Sequence, residues 1–245
     1  MKKIWVLLLA LLLLTGCGVQ ETPVPETTAA SVEVTVPETT PLETTLPETA
    51  ATEQETVPTL PPEPESDETF VRVLDYIPTA SQELKYATAD NFTGQVIYDF
   101  QDAYLRWGTV QKLRKVCADL EELGLYIKIW DGFRPVSAQF ALWEVCPDPT
   151  YVANPTMGHS SHSRGNTIDL TLVDENGVEL LMPTGFDDFS VKANRDYSDC
   201  TQEEANNAQL LEILMEKHGF TGYFGEWWHF SDTTSYPVER EFDPR

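Results

Sequence analysis

Positive charge, cysteine and histidine are all scarce in this 245-residue chain. Lys and Arg number 16 against 40 Asp and Glu, a formal net charge of −24. No basic stripe runs along it, which excludes the electrostatic footprint of a nucleic-acid binder. The cysteines stand at 17, 117, 146 and 200 without a CxxC pair, so a cysteine-ligated metal cluster is excluded as well. Setting Cys17 aside, three remain, and an odd number allows at most one disulfide. No apolar run reaches the roughly 20 residues that a membrane-spanning helix needs. Between Gly18 and Thr69 there is no Lys, Arg, aromatic residue or cysteine at all.

Each absence points to something present. Lys2 and Lys3 precede a short apolar run, Ile4–Leu14, and Thr15-Gly16-Cys17 follows. A positive start and a short apolar stretch are the parts of an export signal. Leu14-Thr15-Gly16-Cys17 resembles the bacterial lipobox, which implies residues 1–17 as a lipoprotein signal with Cys17 lipidated. The expected location is the outer face of a bacterial cell membrane, held by the lipid alone. Residues 18–69 are built from Thr, Pro, Glu, Val and Ala, and their twelve acidic side chains supply half of the net charge. Such a stretch buries too little apolar surface to offset the entropy of ordering it, so a disordered tether is expected. The acidity therefore says little about any site further on.

Residues 70–245 carry every Trp, Tyr and Phe except Trp5 and are long enough for one core. Phe100 to Leu123 reads as a helix from apolar spacings near three and four, with Gly124 as its stop. Leu125–Trp130 reads as a strand, Ser137–Val145 as a helix and Asn166–Val173 as a strand that turns back through Val178–Leu181. Thr201 with Glu204 forms a capping-box pattern opening a helix that Lys217-His218-Gly219 closes. Glu226–Ser231 is a last strand. Helices and hairpin-linked strands without βαβ repetition predict an α+β domain, a small antiparallel sheet flanked by helices.

Four histidines occur, at 159, 162, 218 and 229. Taken singly, a histidine among aromatic residues reads as a satisfied core residue, and an aspartate in a strand as an edge residue. Taken together, His162, Asp169 and His229 offer two imidazoles and a carboxylate, with Glu226 close to the last of them. A hydrolytic zinc site needs three protein ligands, one open position and a carboxylate to receive a proton. One obstacle is geometric. Residues three apart in a regular strand face opposite sides, so Glu226 and His229 converge only through a bulge or turn.

Four stretches stand in order along the chain. They are Lys85-Tyr86-Ala87-Thr88 with Asn91-Phe92-Thr93-Gly94; Trp130-Asp131-Gly132-Phe133-Arg134-Pro135; His162-Ser163-Arg164-Gly165-Asn166-Thr167-Ile168-Asp169; and Glu226-Trp227-Trp228-His229. Together they resemble the D-alanyl-D-alanine dipeptidases of the VanX type, over about Asp75 to Asp243. The resemblance implies one zinc per chain on His162, Asp169 and His229, with Glu226 as general base. It implies that Arg134 steadies the oxyanion and that Asp187 holds the substrate's α-ammonium. Tyr86 and Ser160 or Ser161 correspond to residues that fix the amino end and the carboxylate. The implied substrate is D-Ala-D-Ala or a related dipeptide. For an exported chain it is expected outside the cell, as wall-turnover product. Two alternatives stand beside this: a zinc D,D-carboxypeptidase trimming peptidoglycan stem peptides, and a non-catalytic wall-binding lipoprotein. His159 is expected at a pocket rim and His218 as a structural helix end.

Overall fold

The computed structural model describes residues 60–245. The signal segment, Cys17 and the tether up to residue 59 lie outside the described residues. In chain order come β1 (Phe70–Arg72), α1 (Val73–Tyr76), β2 (Ser81–Gln82), β3 (Tyr104–Arg106) and α2 (Trp107–Glu121). Then follow β4 (Tyr126–Asp131), α3 (Val136–Val145), β5 (Thr167–Val173), α4 (Gln202–Lys217), β6 (Phe220–Tyr223) and β7 (Glu226–Asp232). The sheet has strand order β2-β4-β5-β7-β6, antiparallel throughout except for the two-residue edge pair β2–β4. Helices α2 and α4 pack on each other and on this sheet, as an α+β domain requires.

The largest departure from the sequence reading is at the first helix. Apolar spacing runs unbroken from Phe100, yet α2 begins only at Trp107. Tyr104–Arg106 instead pairs antiparallel with Phe70–Arg72, placing Val71 opposite Leu105, both buried. Periodicity cannot reveal that switch, because Tyr104 and Leu105 fit a helical stripe as well as a ladder. The proposed return strand at Val178–Leu181 is also reduced, to one bridge between Val173 and Glu179 flanked by bonds from Leu180 N to Leu172 O and from Asp174 N to Val178 O. The capping box is present: Thr201 Oγ1 accepts from Glu204 N and Glu204 Oε2 accepts from Thr201 N.

Residues 60–69, read from sequence as the end of the tether, lie against the domain. Pro62 O accepts from Tyr76 Oη at 2.9 Å, and Glu63 pairs with Arg114 at 2.9 Å. Asp67 O accepts from Gly108 N, and its side chain from Gln111. The folded unit thus begins ahead of Phe70. Cys117, Cys146 and Cys200 are all free thiols, so the one disulfide that the count allows is not formed.

Two bulges shape the sheet where chemistry is expected. In β4, Trp130 is the extra residue between Ile129, opposite Leu170, and Asp131, opposite Asp169. In β7, three residues separate Glu226, opposite Tyr223, from Phe230, opposite Gly222, although the two partners on β6 are adjacent. Bulged strands bend and re-aim side chains. Alternation along β5 puts Ile168, Leu170 and Leu172 on one face and Thr167, Asp169 and Thr171 on the other. Asp169 therefore faces away from the aliphatic residues of its own strand.

Candidate active site

Three elements bring the histidines and Asp169 together. His162 lies in a 3-10 turn, Ser161–Arg164, that ends at Gly165 with φ +73°. That glycine is required. A Cβ there would sit 2.4 Å from Phe70 Cε1 and in a backbone region that side chains rarely adopt. Asp169 comes from β5 and His229 from the neighbouring β7, directly opposite it in the ladder. His162 Nε2 lies 3.3 Å from Asp169 Oδ2 and 3.3 Å from His229 Nδ1, and His229 Nδ1 lies 3.0 Å from Asp169 Oδ1.

Taken pair by pair these spacings are those of atoms that share a zinc ion, the two histidines facing different oxygens of Asp169. Bonds of about 2.0–2.1 Å in a tetrahedron separate ligand atoms by roughly 3.3 Å. Asp169 is 3% exposed, yet its Oδ1 has no hydrogen-bond donor and faces only the His229 ring, 3.0 Å from Nδ1. Burial of that kind is costly unless a partner is supplied. His162 Nδ1 donates to Gly132 O at 2.8 Å, which fixes the tautomer and frees Nε2 for a metal. Burial works against ionising Asp169, but the facing His162 and His229 rings outweigh it and hold the carboxyl well below the usual range. Among the described residues this is the one group of three His, Cys, Asp or Glu side chains close enough to hold a metal.

Glu226 stands next to this cluster, its Oε2 3.4 Å from His229 Nδ1. The β7 bulge supplies the convergence that regular strand geometry forbids. Burial raises the Glu226 carboxyl above its ordinary value, against the pull of the His229 ring. Both groups line a cavity of about 290 Å³ that also takes in Tyr86, Arg134, Ser160, Ser161, His162, Asp169 and Asp187. Every site residue singled out in the domain therefore reaches one pocket.

Arg134 is held more firmly than the sequence indicated. Its Nε and Nη2 both donate to Asp131 Oδ2, at 3.0 and 2.7 Å, and Nη1 donates to Gln139 Oε1 at 2.9 Å. Asp131 is fully buried and accepts also from Tyr98 Oη and Gly132 N through Oδ1. With five N–H donors on a guanidinium and three in use, two remain, and Nη2 already lies 3.9 Å from Asp169 Oδ2. Sequence reasoning assigned no role to Asp131, Gln139 or Tyr98. Asp131 sat inside a quoted motif, five residues before it Tyr126 opens the strand, and the β4 bulge turns it inward.

Asp187 adopts φ +56°, unusual for a non-glycine residue. Its Oδ2 accepts from Tyr86 Oη at 2.9 Å. Burial pushes the Asp187 carboxyl well above its ordinary value, only partly offset by the Tyr86 bond and by Arg134. Ser160 Oγ accepts from His162 N at 3.3 Å and so caps the turn carrying the first ligand. Aromatic rings close the pocket's far wall, with Tyr151 stacked on Phe189 at 4.6 Å and Phe92 against Phe189 at 5.3 Å. His159 also lines the pocket, its Nε2 accepting from Arg240 at 2.7 Å. His218 ends α4 and pairs with Asp119 at 2.6 Å.

The family model described as D-ala-D-ala dipeptidase, peptidase M15, matches residues 66–243. A D-alanyl-D-alanine dipeptidase of Escherichia coli (strain K12) is 41% identical over 176 residues, 71% of this chain and 91% of that protein. One from Enterococcus faecalis is 35% identical over 166 residues, covering 60% of this chain and 82% of the relative. One from Streptomyces coelicolor is 34% identical over 191 residues, 66% and 90% respectively. A solved structure of a vancomycin-resistance D,D-pentapeptidase VanY mutant with Zn(II) shares 16% identity at a TM-score of 0.36, over 54% of this chain and 74% of that one. That likeness is too distant to bear on the site. With two histidines and an aspartate gathered closely enough to hold a metal and a family match across the folded unit, the chain belongs to the D-Ala-D-Ala dipeptidase family and is a zinc metallopeptidase.

Proposed function

We propose that the chain hydrolyses D-alanyl-D-alanine or a related D,D-dipeptide outside the cell, with Glu226 as general base. The observation that carries this is the placement of Glu226 Oε2 3.4 Å from the ligand atom of His229, in a pocket that also holds Arg134 and Asp187. In this reading His162, Asp169 and His229 hold one zinc ion per chain. When bound, zinc lowers the pKa of water toward neutrality and polarises the scissile carbonyl. Glu226 takes the proton of the attacking water and later passes it to the leaving amine. The two unengaged N–H groups of Arg134 meet the charge that develops on the carbonyl oxygen. Asp131 and Gln139 hold that guanidinium in place beforehand, so it need not reorganise during reaction. Ser160 or Ser161 faces the substrate carboxylate.

Asp187 decides the substrate class. A carboxylate that burial disfavours is satisfied by a free α-ammonium and left unpaired by an acylated amine. That penalty selects dipeptides over the blocked ends of longer stems and sets this reading above the D,D-carboxypeptidase alternative. A non-catalytic wall-binding role needs neither the base nor the oriented arginine. The test is the ratio of kcat/KM for D-Ala-D-Ala to that for its N-acetyl derivative. Asp187→Asn should raise KM for the dipeptide and narrow the ratio by about tenfold or more, as expected when a buried charge partner worth about 1.5–3 kcal/mol is removed. An unchanged ratio would leave the carboxypeptidase as the better reading.

The location is part of the proposal. Lys2, Lys3, the apolar run and Leu14-Thr15-Gly16-Cys17 support export and lipidation of Cys17, with residues 18–59 as a leash. If extended, the roughly 40 residues of such a leash reach about 130 Å. Cys17→Ser should release active enzyme from the membrane fraction into the medium, followed by detergent partitioning. A variant that still partitions with detergent would place the anchor elsewhere.

A further inference from the structure

Arg195 lies in the loop after the 3-10 turn Val191–Ala193, outside every motif and outside the pocket, yet its side chain is only 6% exposed. Its Nε donates to Tyr223 O at 2.9 Å. Its Nη2 donates to Trp227 O at 3.0 Å and to His229 O at 2.9 Å. The guanidinium carbon stands 4.3 Å over the Phe230 ring, and Nη1 faces Glu212 Oε1 at 3.4 Å. The Arg195 backbone N also donates to Phe224 O at 2.9 Å. Every one of those backbone carbonyls lies in the β6–β7 hairpin, and two belong to the three extra residues of the bulge.

We infer that Arg195 is a positioning residue for the reaction: its guanidinium holds the β7 bulge in the shape that brings Glu226 against His229. The inference rests on the reading of Glu226 as general base. A bulge leaves carbonyls off the ladder, and buried carbonyls must be paired. A planar fork with several fixed donors holds three carbonyls in one set geometry, which the small rotatable ammonium of a lysine does not impose. Space is reserved for it as well. A Cβ on Gly222 would fall 2.3 Å from Arg195 Cζ, so β6 carries a glycine where the guanidinium passes. Glu212 completes the arrangement, accepting from Tyr197 Oη at 2.7 Å while facing the cation. The site thus has two separate arginine supports. Arg134 enters the pocket, and Arg195 grips the strand behind it.

Positioning and plain structural roles separate in the kinetics per bound zinc. The whole secreted chain with zinc would be assayed on D-Ala-D-Ala as wild type, Arg195→Gln, Gly222→Ala and Glu226→Gln, with melting temperature and zinc content measured for each. Arg195→Gln should keep zinc and a KM near wild type while kcat per zinc falls about 10–100-fold, the scale of an ångström-sized misplacement. Gly222→Ala, which crowds the guanidinium without removing it, should show the same split, and the double variant should lose less than the product of the two. A kcat per zinc within twofold of wild type in Arg195→Gln would overturn the inference. Gly222→Ala decides by the same criterion where Arg195→Gln does not fold. Glu226→Gln separates the two levels. If it keeps wild-type turnover, the base assignment beneath the inference fails. If it loses turnover while Arg195→Gln does not, only the role of Arg195 fails.

Discussion

His162→Ala and His229→Ala should each yield a folded protein with no stoichiometric zinc and no measurable dipeptidase activity. The fold is expected to persist because the site's backbone is held independently of the metal. Asp169 and His229 face each other across a β5–β7 ladder of main-chain bonds, and Trp227, Trp228 and Phe230 are fully buried around it. The loss of metal follows from geometry. Removing one of three side chains whose facing atoms lie 3.0 to 3.3 Å apart leaves two ligands, one of them a buried carboxylate. Wild type should bind one zinc per chain by elemental analysis. Because zinc would bind the native and not the unfolded chain, its melting temperature should rise with zinc. Both histidine variants should melt at a temperature independent of zinc. Activity should fall to background, since water without a metal is a far weaker acid than zinc-bound water, whose pKa is about 7. Full zinc occupancy in both variants would remove the metal assignment. So would a wild-type melting temperature indifferent to chelation and readdition of zinc.

Much of the site was legible in the sequence because its ligands lie in short, dense stretches. His162 and Asp169 belong to one turn-and-strand segment, and Glu226 and His229 to one strand, so few long-range facts were needed to propose them. The requirement for a bulge between Glu226 and His229 followed from strand periodicity, and the register slip opposite Gly222 and Tyr223 meets it. What local pattern could not give was whatever depends on distant partners. The start of α2 is set by Phe70–Arg72, far upstream, pairing with Tyr104–Arg106. Arg134 appeared as a lone cation although Asp131 and Gln139 lie only three and five residues away, because spacing alone does not show that the end of β4 and the start of α3 both turn toward it. Arg195 carries no motif, and its partners lie some 30 residues on, across α4. Residues 60–69 look like tether by composition, but their backbone carbonyls and acids are bound by Tyr76, Gly108 and Arg114. Composition sees side-chain chemistry and misses such main-chain docking.

Glu226→Ala should separate binding from chemistry. The residue opens β7 and its side chain is 20% exposed, while the neighbouring Trp227 and Trp228 carry the packing. Truncating it therefore costs little stability, and the melting temperature should stay close to wild type. The zinc ligands are untouched, so the variant should hold one zinc per chain. Asp187 and Tyr86 are untouched too, so the dissociation constant for D-Ala-D-Ala, measured by calorimetry on the inactive protein, should lie near the wild-type KM. Turnover should not survive. A positioned general base contributes about 10²–10⁴-fold, or about 3–5 kcal/mol of barrier at 1.36 kcal/mol per tenfold. The same carboxyl is proposed to hand its proton to the leaving amine, so losing both roles should place the fall in kcat at or above the upper end of that range. Glu226→Gln keeps the shape and removes only the basic oxygen, and it should fall equally far. If either variant turns over within tenfold of wild type while holding its zinc, another group takes the proton. Among the pocket residues His159 would then be the first to test, since its imidazole lines the same cavity and, among the described residues, hydrogen-bonds to Arg240 alone.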